Sequence, residues 1–215
     1  MTAQSRSNTI IIDHPLAEHA MSFLRGQDTD TESFQRHAQV ATRLLAMEVL
    51  RDLPTQPYTV RTPLEATESR RLARAVVFVP VLRSGLALLD AMNNFLPGSK
   101  VGFVGMERDE DTAIARRYYT KLPKHLDDAL VVILDPMLAT GGSALGTLRL
   151  LRQAGATQIR LACIVAAPEG VARLVQEDPT IQIFTCALDR GLNERKYILP
   201  GLGDFGDRYF GTAGE

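Results

Sequence analysis

The chain has 215 residues, 45% of them hydrophobic and 23% charged, with a formal net charge of -1. This length suits one domain, residues 1–215, whose core needs neither disulfides nor a structural metal. The charge balance provides no broad positive field for nucleic acid or an anionic membrane surface.

Asp13-His14-Pro15 marks a helix start, with proline in the first turn, and the helix is expected to run to about Arg25. The apolar Ile10-Ile11-Ile12 before it is too short for a signal-peptide core. No run approaches the roughly 18 apolar residues of a membrane span, so a cytoplasmic location is expected. Asp30-Thr31 offers a second N-cap for a long helix over Ser33 to Asp52, stopped by Pro54. Tyr58 to Thr62 alternates and reads as an edge strand or arm.

From residue 75 the pattern changes to apolar runs bounded by glycine and proline: Ala75–Leu82, Val101–Val104, Ala129–Leu134, Ile159–Ala167 and Ile181–Leu188. Helical stretches near 85–96, 143–154 and 169–177 separate several of them. Continuous apolar strands alternating with helices imply an α/β fold, a mainly parallel sheet with helices on both faces. Cys163 and Cys186 lie inside these runs without metal-ligand or CxxC spacing and read as small core hydrophobes, as in a reducing compartment. The charged stretch from Glu107 to Lys124 reads as an exposed hairpin or flexible loop. After Lys196, glycines at 201, 203, 206 and 211 call for a shaped loop rather than a helix.

The most informative segment runs from Val131 to Ser143. A buried strand ends in Asp135, and a short loop delivers Thr140-Gly141-Gly142-Ser143 to the start of a helix. Glycines let backbone N–H groups approach a ligand, the helix start adds partial positive charge, and Thr140 and Ser143 add hydroxyl donors. Together these suit a phosphate monoester. Asp135, at the carboxyl end of its strand, is placed to accept hydrogen bonds from two adjacent ribose hydroxyls. The loop is neither a Walker A motif, since no lysine follows the glycines, nor G-x-G-x-x-G. A plain Gly-rich turn before a capped helix explains the glycines equally well.

Two arginines are candidates for a second anion. Arg83 sits in Leu82-Arg83-Ser84-Gly85, again a strand–turn–helix, and Arg108 stands at the mouth of the charged stretch. The tail from Tyr197 to Thr212 interleaves its glycines with Leu202, Phe205, Tyr209 and Phe210, residues able to anchor a loop whose backbone reads the edge of a flat pyrimidine.

The run Asp135-Pro136-Met137-Leu138-Ala139-Thr140-Gly141-Gly142-Ser143 resembles the PRPP-binding signature of type I phosphoribosyltransferases, in its uracil phosphoribosyltransferase form. Most type I relatives carry two adjacent acids, and the second is Pro136 here, as in the uracil branch. The resemblance extends from His14-Pro15-Leu16 through Asp52-Leu53-Pro54, Ala166-Ala167-Pro168-Glu169-Gly170 and Gly191-Leu192-Asn193-Glu194 to Gly211-Thr212. It implies transfer of the phosphoribosyl group of PRPP to N1 of uracil, giving UMP and pyrophosphate. PRPP contacts are implied for Arg83, Arg108, residues 135–143 and Asp204, and uracil contacts for Ile198, Gly203, Asp204 and Phe205. Asp204 and Arg108 become the candidate catalytic residues. Some relatives have alanine at Phe205, as expected of a backbone contact.

Mg2+ is expected to arrive with PRPP rather than in a dedicated cage, with the 107–124 stretch as a lid. The family is dimeric or larger, and some members respond to GTP. Two other readings stay open. One is a type I relative acting on a purine or on orotate, whose carboxylate would need a cation such as Arg208. The other is a non-enzymatic regulator keeping the fold.

Overall fold

Residues 8–108 and 115–212 are described by the computed structural model, with the side chains of Arg108 and Ala115 left out. In chain order the elements are β1 (Thr9–Ile11), α1 (Pro15–Arg25), α2 (Thr31–Val49), β2 (Thr55–Arg61), β3 (Ala66–Leu72), β4 (Val76–Leu82), α3 (Leu86–Phe95), β5 (Lys100–Val101), β6 (Phe103–Arg108) and β7 (Ala115–Lys121). They continue with β8 (Leu130–Leu134), β9 (Met137–Leu138), α4 (Gly142–Gln153), β10 (Gln158–Ala166), α5 (Pro168–Glu177), β11 (Gln182–Leu188), β12 (Gly191–Leu192), β13 (Ile198–Leu199) and α6 (Phe205–Phe210).

The main sheet has the order β1-β11-β10-β8-β4-β6-β7, with β5 added beside β4 and β9 beside β10. Every pairing in it is parallel except the β6–β7 hairpin. Alternation along the strands divides the core. Val76, Phe78, Leu130, Val132 and Leu134 join a cluster with α1, α2 and α3. Val77, Val79, Val81, Val131 and Ile133 face the other way, onto α4 and α5. Near-continuous apolar strands are what a sheet covered on both faces demands. Cys163 and Cys186 are unpaired and buried, and burial pushes both thiols up, so they serve as core residues.

The helix ends follow local chemistry. Asp30 caps α2 by accepting from the Ser33 N–H at 2.7 Å, and Pro15 sits in the first turn of α1, whose His14 ring accepts from the Leu16 N–H. The second helix ends at Val49, three residues before the expected Asp52.

Three elements depart from the sequence reading. Ile10 and Ile11 form part of an edge strand against β11. The arm read as one strand is a hairpin: β2 pairs antiparallel with β3, and nearly every residue of the two is exposed, so no buried face marked β3. The tail contains a helix, α6. Asp204 caps it by accepting from the Asp207 N–H at 3.0 Å, and Gly211 ends it at φ 67°. Glycine density masked that helix; the spacing of Phe205 and Tyr209 and the Asp204-x-x-Asp207 pair were its signal. The charged stretch is a hairpin, β6–β7, at its base, while residues 109–114, the centre of the expected lid, lie outside the described residues.

Candidate active site

The carboxyl ends of β4 and β8 open on the same edge of the sheet, where α/β folds place ligands. A cleft of about 690 Å3 lies there. It gathers residues from four chain segments: Arg83 and Ser84 after β4, Met106 on β6, Asp135 with Met137 to Ala144, and the tail at Lys196 to Ile198 and Gly203 to Gly206. The sequence candidates Arg83, Asp135, Met137, Leu138, Ala139, Thr140, Gly141, Gly142, Ser143, Ile198, Gly203, Asp204 and Phe205 all line it.

Pro136 is the exception. It is buried, and its carbonyl accepts from the Ile164 and Val165 N–H groups at 2.9 and 3.2 Å, so it ties the loop to β10 and does not line the cleft. Arg108 closes strand β6, opposite Ala115, and its side chain lies outside the described residues. The register pairs Leu82 with Gly105, which sets Arg83 beside the start of the Met106–Arg108 segment.

The Thr140–Ser143 loop has the geometry that an anion site at a helix start requires. Gly141 stands at the N-cap of α4 with φ 74°, a conformation costly for residues with a Cβ, and no side chain caps the helix. The first N–H groups of α4 are therefore left for a ligand, and the helix dipole favours an anion there. The Arg83 turn is pressed against the same edge. A Cβ on Gly85 would fall 2.3 Å from the Leu134 carbonyl oxygen, so only glycine lets this turn approach the end of β8.

Asp135 is 8% exposed. Burial drives its carboxyl up from 3.8 to about 7, against the opposing pull of the Met137 N–H, which it accepts. A carboxyl poised near neutrality in a cleft is a mark of a functional site. Asp204, by contrast, is exposed. Among the described residues no group of three or more His, Cys, Asp or Glu side chains is arranged to hold a metal alone.

The tail is held by left-handed glycines and by Arg208. Gly201 and Gly203 have φ of 63° and 81°. Arg208 donates to the carbonyls of Leu24 and Leu202 at 2.6 and 2.7 Å and to that of Gly26, and its guanidinium lies over the Phe34 ring at 4.4 Å. It is thus committed to the scaffold and is not the cation an orotate carboxylate would need. Phe205 turns its ring into the core, edge-on to Phe34 and stacked on Tyr209.

Sequence reasoning passed over Met106, Lys196, Tyr197 and Gly206 as cleft residues. Lys196 is a cation at the cleft, in a left-handed turn with φ 67°. A lysine before a strand carries no local sign of such a placement.

A mostly parallel sheet, a glycine-rich loop at an uncapped helix start and an acid at a strand end define a type I phosphoribosyltransferase fold. A hypoxanthine phosphoribosyltransferase from Trypanosoma cruzi shares it at a TM-score of 0.50 and 12% identity, covering 74% of this chain and 75% of that one. The family model described as uracil phosphoribosyltransferase matches residues 11–212, and the chain belongs to that family. A uracil phosphoribosyltransferase of Streptococcus pneumoniae is 45% identical over 203 residues, 94% of this chain and 97% of its own. The structure of the AQ2163 protein from Aquifex aeolicus superposes with a TM-score of 0.90 at 37% identity, covering 94% of this chain and 97% of that one.

Proposed function

We propose that the protein transfers the 5-phosphoribosyl group of PRPP to N1 of uracil, releasing pyrophosphate and forming UMP. The observation carrying this reading is the convergence of the uncapped α4 start, Asp135 and the left-handed glycine tail on one cleft, in a chain matched by the family model over residues 11–212.

In this reading the N–H groups and hydroxyls of Thr140 to Ser143 hold the 5'-phosphate. Arg83, Ser84 and Arg108 hold the pyrophosphate as charge moves onto it. Asp135 accepts from the ribose hydroxyls. Ile198, Gly203 and Phe205 present main-chain groups to the uracil edge, with two carbonyl acceptors flanking the N3–H donor. Cytosine replaces one acceptor by an amine, which leaves a buried partner unpaired and lowers its use by about 10⁴-fold.

The bond from ribose C1 to pyrophosphate breaks with oxocarbenium character while N1 of uracil bonds from the opposite face. Fixing two anions and a base in line is the work required of the chain. The exposed Asp204 carboxylate and the Asp135 carboxyl are hard oxygen donors, which suits Mg2+ carried in by PRPP oxygens. Bound there, the ion would neutralise charge on the leaving pyrophosphate. Asp204, which lines the cleft, and Arg108 are the catalytic candidates. The charged 107–124 stretch is read as a lid against water. The chain functions as one domain in the cytoplasm, as a homodimer or larger assembly, with GTP as an effector.

The test is formation of UMP from labelled uracil, PRPP and Mg2+, alongside cytosine, orotate, hypoxanthine and guanine. Use of uracil alone is the expected result. Turnover of orotate in preference would transfer the role to Lys196, and inactivity toward every base would favour a regulator.

A further inference from the structure

Two side chains that do not line the cleft hold the tail loop that does. Asp189 follows β11 and is 7% exposed; Arg25 is the last residue of α1. The Arg25 guanidinium donates to both Asp189 carboxylate oxygens, at 2.6 and 2.9 Å. The same guanidinium donates to the Gly201 carbonyl at 2.8 Å, and the Gly201 N–H donates to Asp189 at 2.8 Å. Both backbone polar groups of one glycine are thus held by one ion pair. Asp189 is itself anchored, its N–H donating to the Ala166 carbonyl at the end of β10 at 2.8 Å.

Gly201 is the hinge of the loop. Its φ is 63°, and a Cβ there would fall 2.2 Å from the Ile198 carbonyl oxygen, so the chain doubles back at this point. Ile198 precedes it and Gly203 follows it, and both line the cleft. A planar, bidentate guanidinium–carboxylate pair fixes direction as well as distance. Rotation of the Gly201 peptides would turn the main-chain groups of Ile198 and Gly203 away from a bound base and strand a buried carboxylate without its partner. The phosphate cradle is built from other segments and does not touch the pair.

We infer that Arg25 and Asp189 are positioning residues for base recognition, acting through Gly201 to hold the Ile198–Gly203 backbone in its base-reading orientation; this rests on the uracil phosphoribosyltransferase reading above. A merely structural ion pair would affect both substrates alike. A positioning pair affects the base and spares PRPP.

The experiment measures KM for uracil and for PRPP, and kcat, in the full-length protein and in Arg25→Gln and Arg25→Lys. Arg25→Gln should raise the uracil KM about tenfold or more, the loss expected for a charged hydrogen-bond set, with the PRPP KM within about twofold. Arg25→Lys, which keeps the charge but not the fork, should fall between the two. An unchanged uracil KM, equal increases in both KM values, or a fall in kcat alone would overturn the inference. If Arg25→Gln does not fold, Arg25→Lys decides, and a wild-type uracil KM in that variant overturns it. An unsubstituted protein that ignores uracil refutes the functional reading instead, so the two failures are told apart.

Discussion

Gly141 and Gly170 meet face to face behind the Thr140–Ser143 loop, the proposed phosphate cradle. A Cβ on Gly141 would lie 3.1 Å from the Gly170 carbonyl oxygen, and one on Gly170 would lie 2.5 Å from the Ala139 carbonyl oxygen. The start of α5 is the back wall of the cradle, and Arg173 of the same helix donates to the Thr140 carbonyl at 3.2 Å. The Ala166–Gly170 motif thereby gains a physical reason: only a residue without a side chain lets α5 support the loop this closely.

Gly170→Ala should therefore displace the cradle. The clash is with backbone, which cannot rotate aside, so a stability loss of about 1–3 kcal/mol is expected. The PRPP KM should rise about tenfold while the uracil KM stays near its starting value. Steady-state kinetics with each substrate varied in turn checks this.

Asp135 makes stability depend on pH. Its carboxyl is raised from 3.8 to about 7 by burial, so the folded protein holds a proton that the unfolded chain releases. Its contribution is most favourable below pH 4, is lost as pH rises from about 4 to 7, and is flat above. At about 1.4 kcal/mol per pH unit the loss amounts to about 4 kcal/mol. Asp135→Asn removes a buried ionisable group and keeps an acceptor for the Met137 N–H. Its melting temperature should exceed that of the unsubstituted protein at pH 8, with the gain vanishing near pH 4. Its kcat/KM should fall about tenfold to a hundredfold through the weakened ribose contacts. Thermal melts at the two pH values, with assays at pH 8, decide both parts.

Phe205→Ala separates packing from recognition. Phe205 is 2% exposed, and its ring is held between Phe34 and Tyr209. Truncation should cost about 3–5 kcal/mol. Uracil should remain favoured over cytosine to the same degree, because the ring faces Phe34 and Tyr209 in the core. Denaturant unfolding and a two-base assay measure the two effects separately.

Lys196→Gly should stabilise the protein. A side-chain-bearing residue at φ 67° is strained, and glycine relieves this at some cost in unfolded-chain entropy, for a net gain of about 0.5–1 kcal/mol. A rise of a few degrees in melting temperature is the expected readout.

The amino-acid sequence by itself determined the alternation of apolar strands and helices and the acid–loop–glycine cradle. These depend on neighbours close along the chain: a buried strand must be apolar throughout, and a helix start must leave N–H groups free. It also brought Arg83, Asp135 and the glycine tail forward as candidates, because their residue types match anions, ribose and a flat base. Tertiary structure alone decided what each side chain faces. Pro136 turned out to tie the loop to β10, Phe205 to point into the core, Arg208 to serve the end of α1, and Lys196 to stand at the cleft. Strand β3 was invisible because it buries nothing, and α6 because glycines surround its cap. The pairing of Arg25 with Asp189 spans 164 positions. No local pattern encodes such a contact, since it exists only once the sheet has brought the end of β11 beside the end of α1.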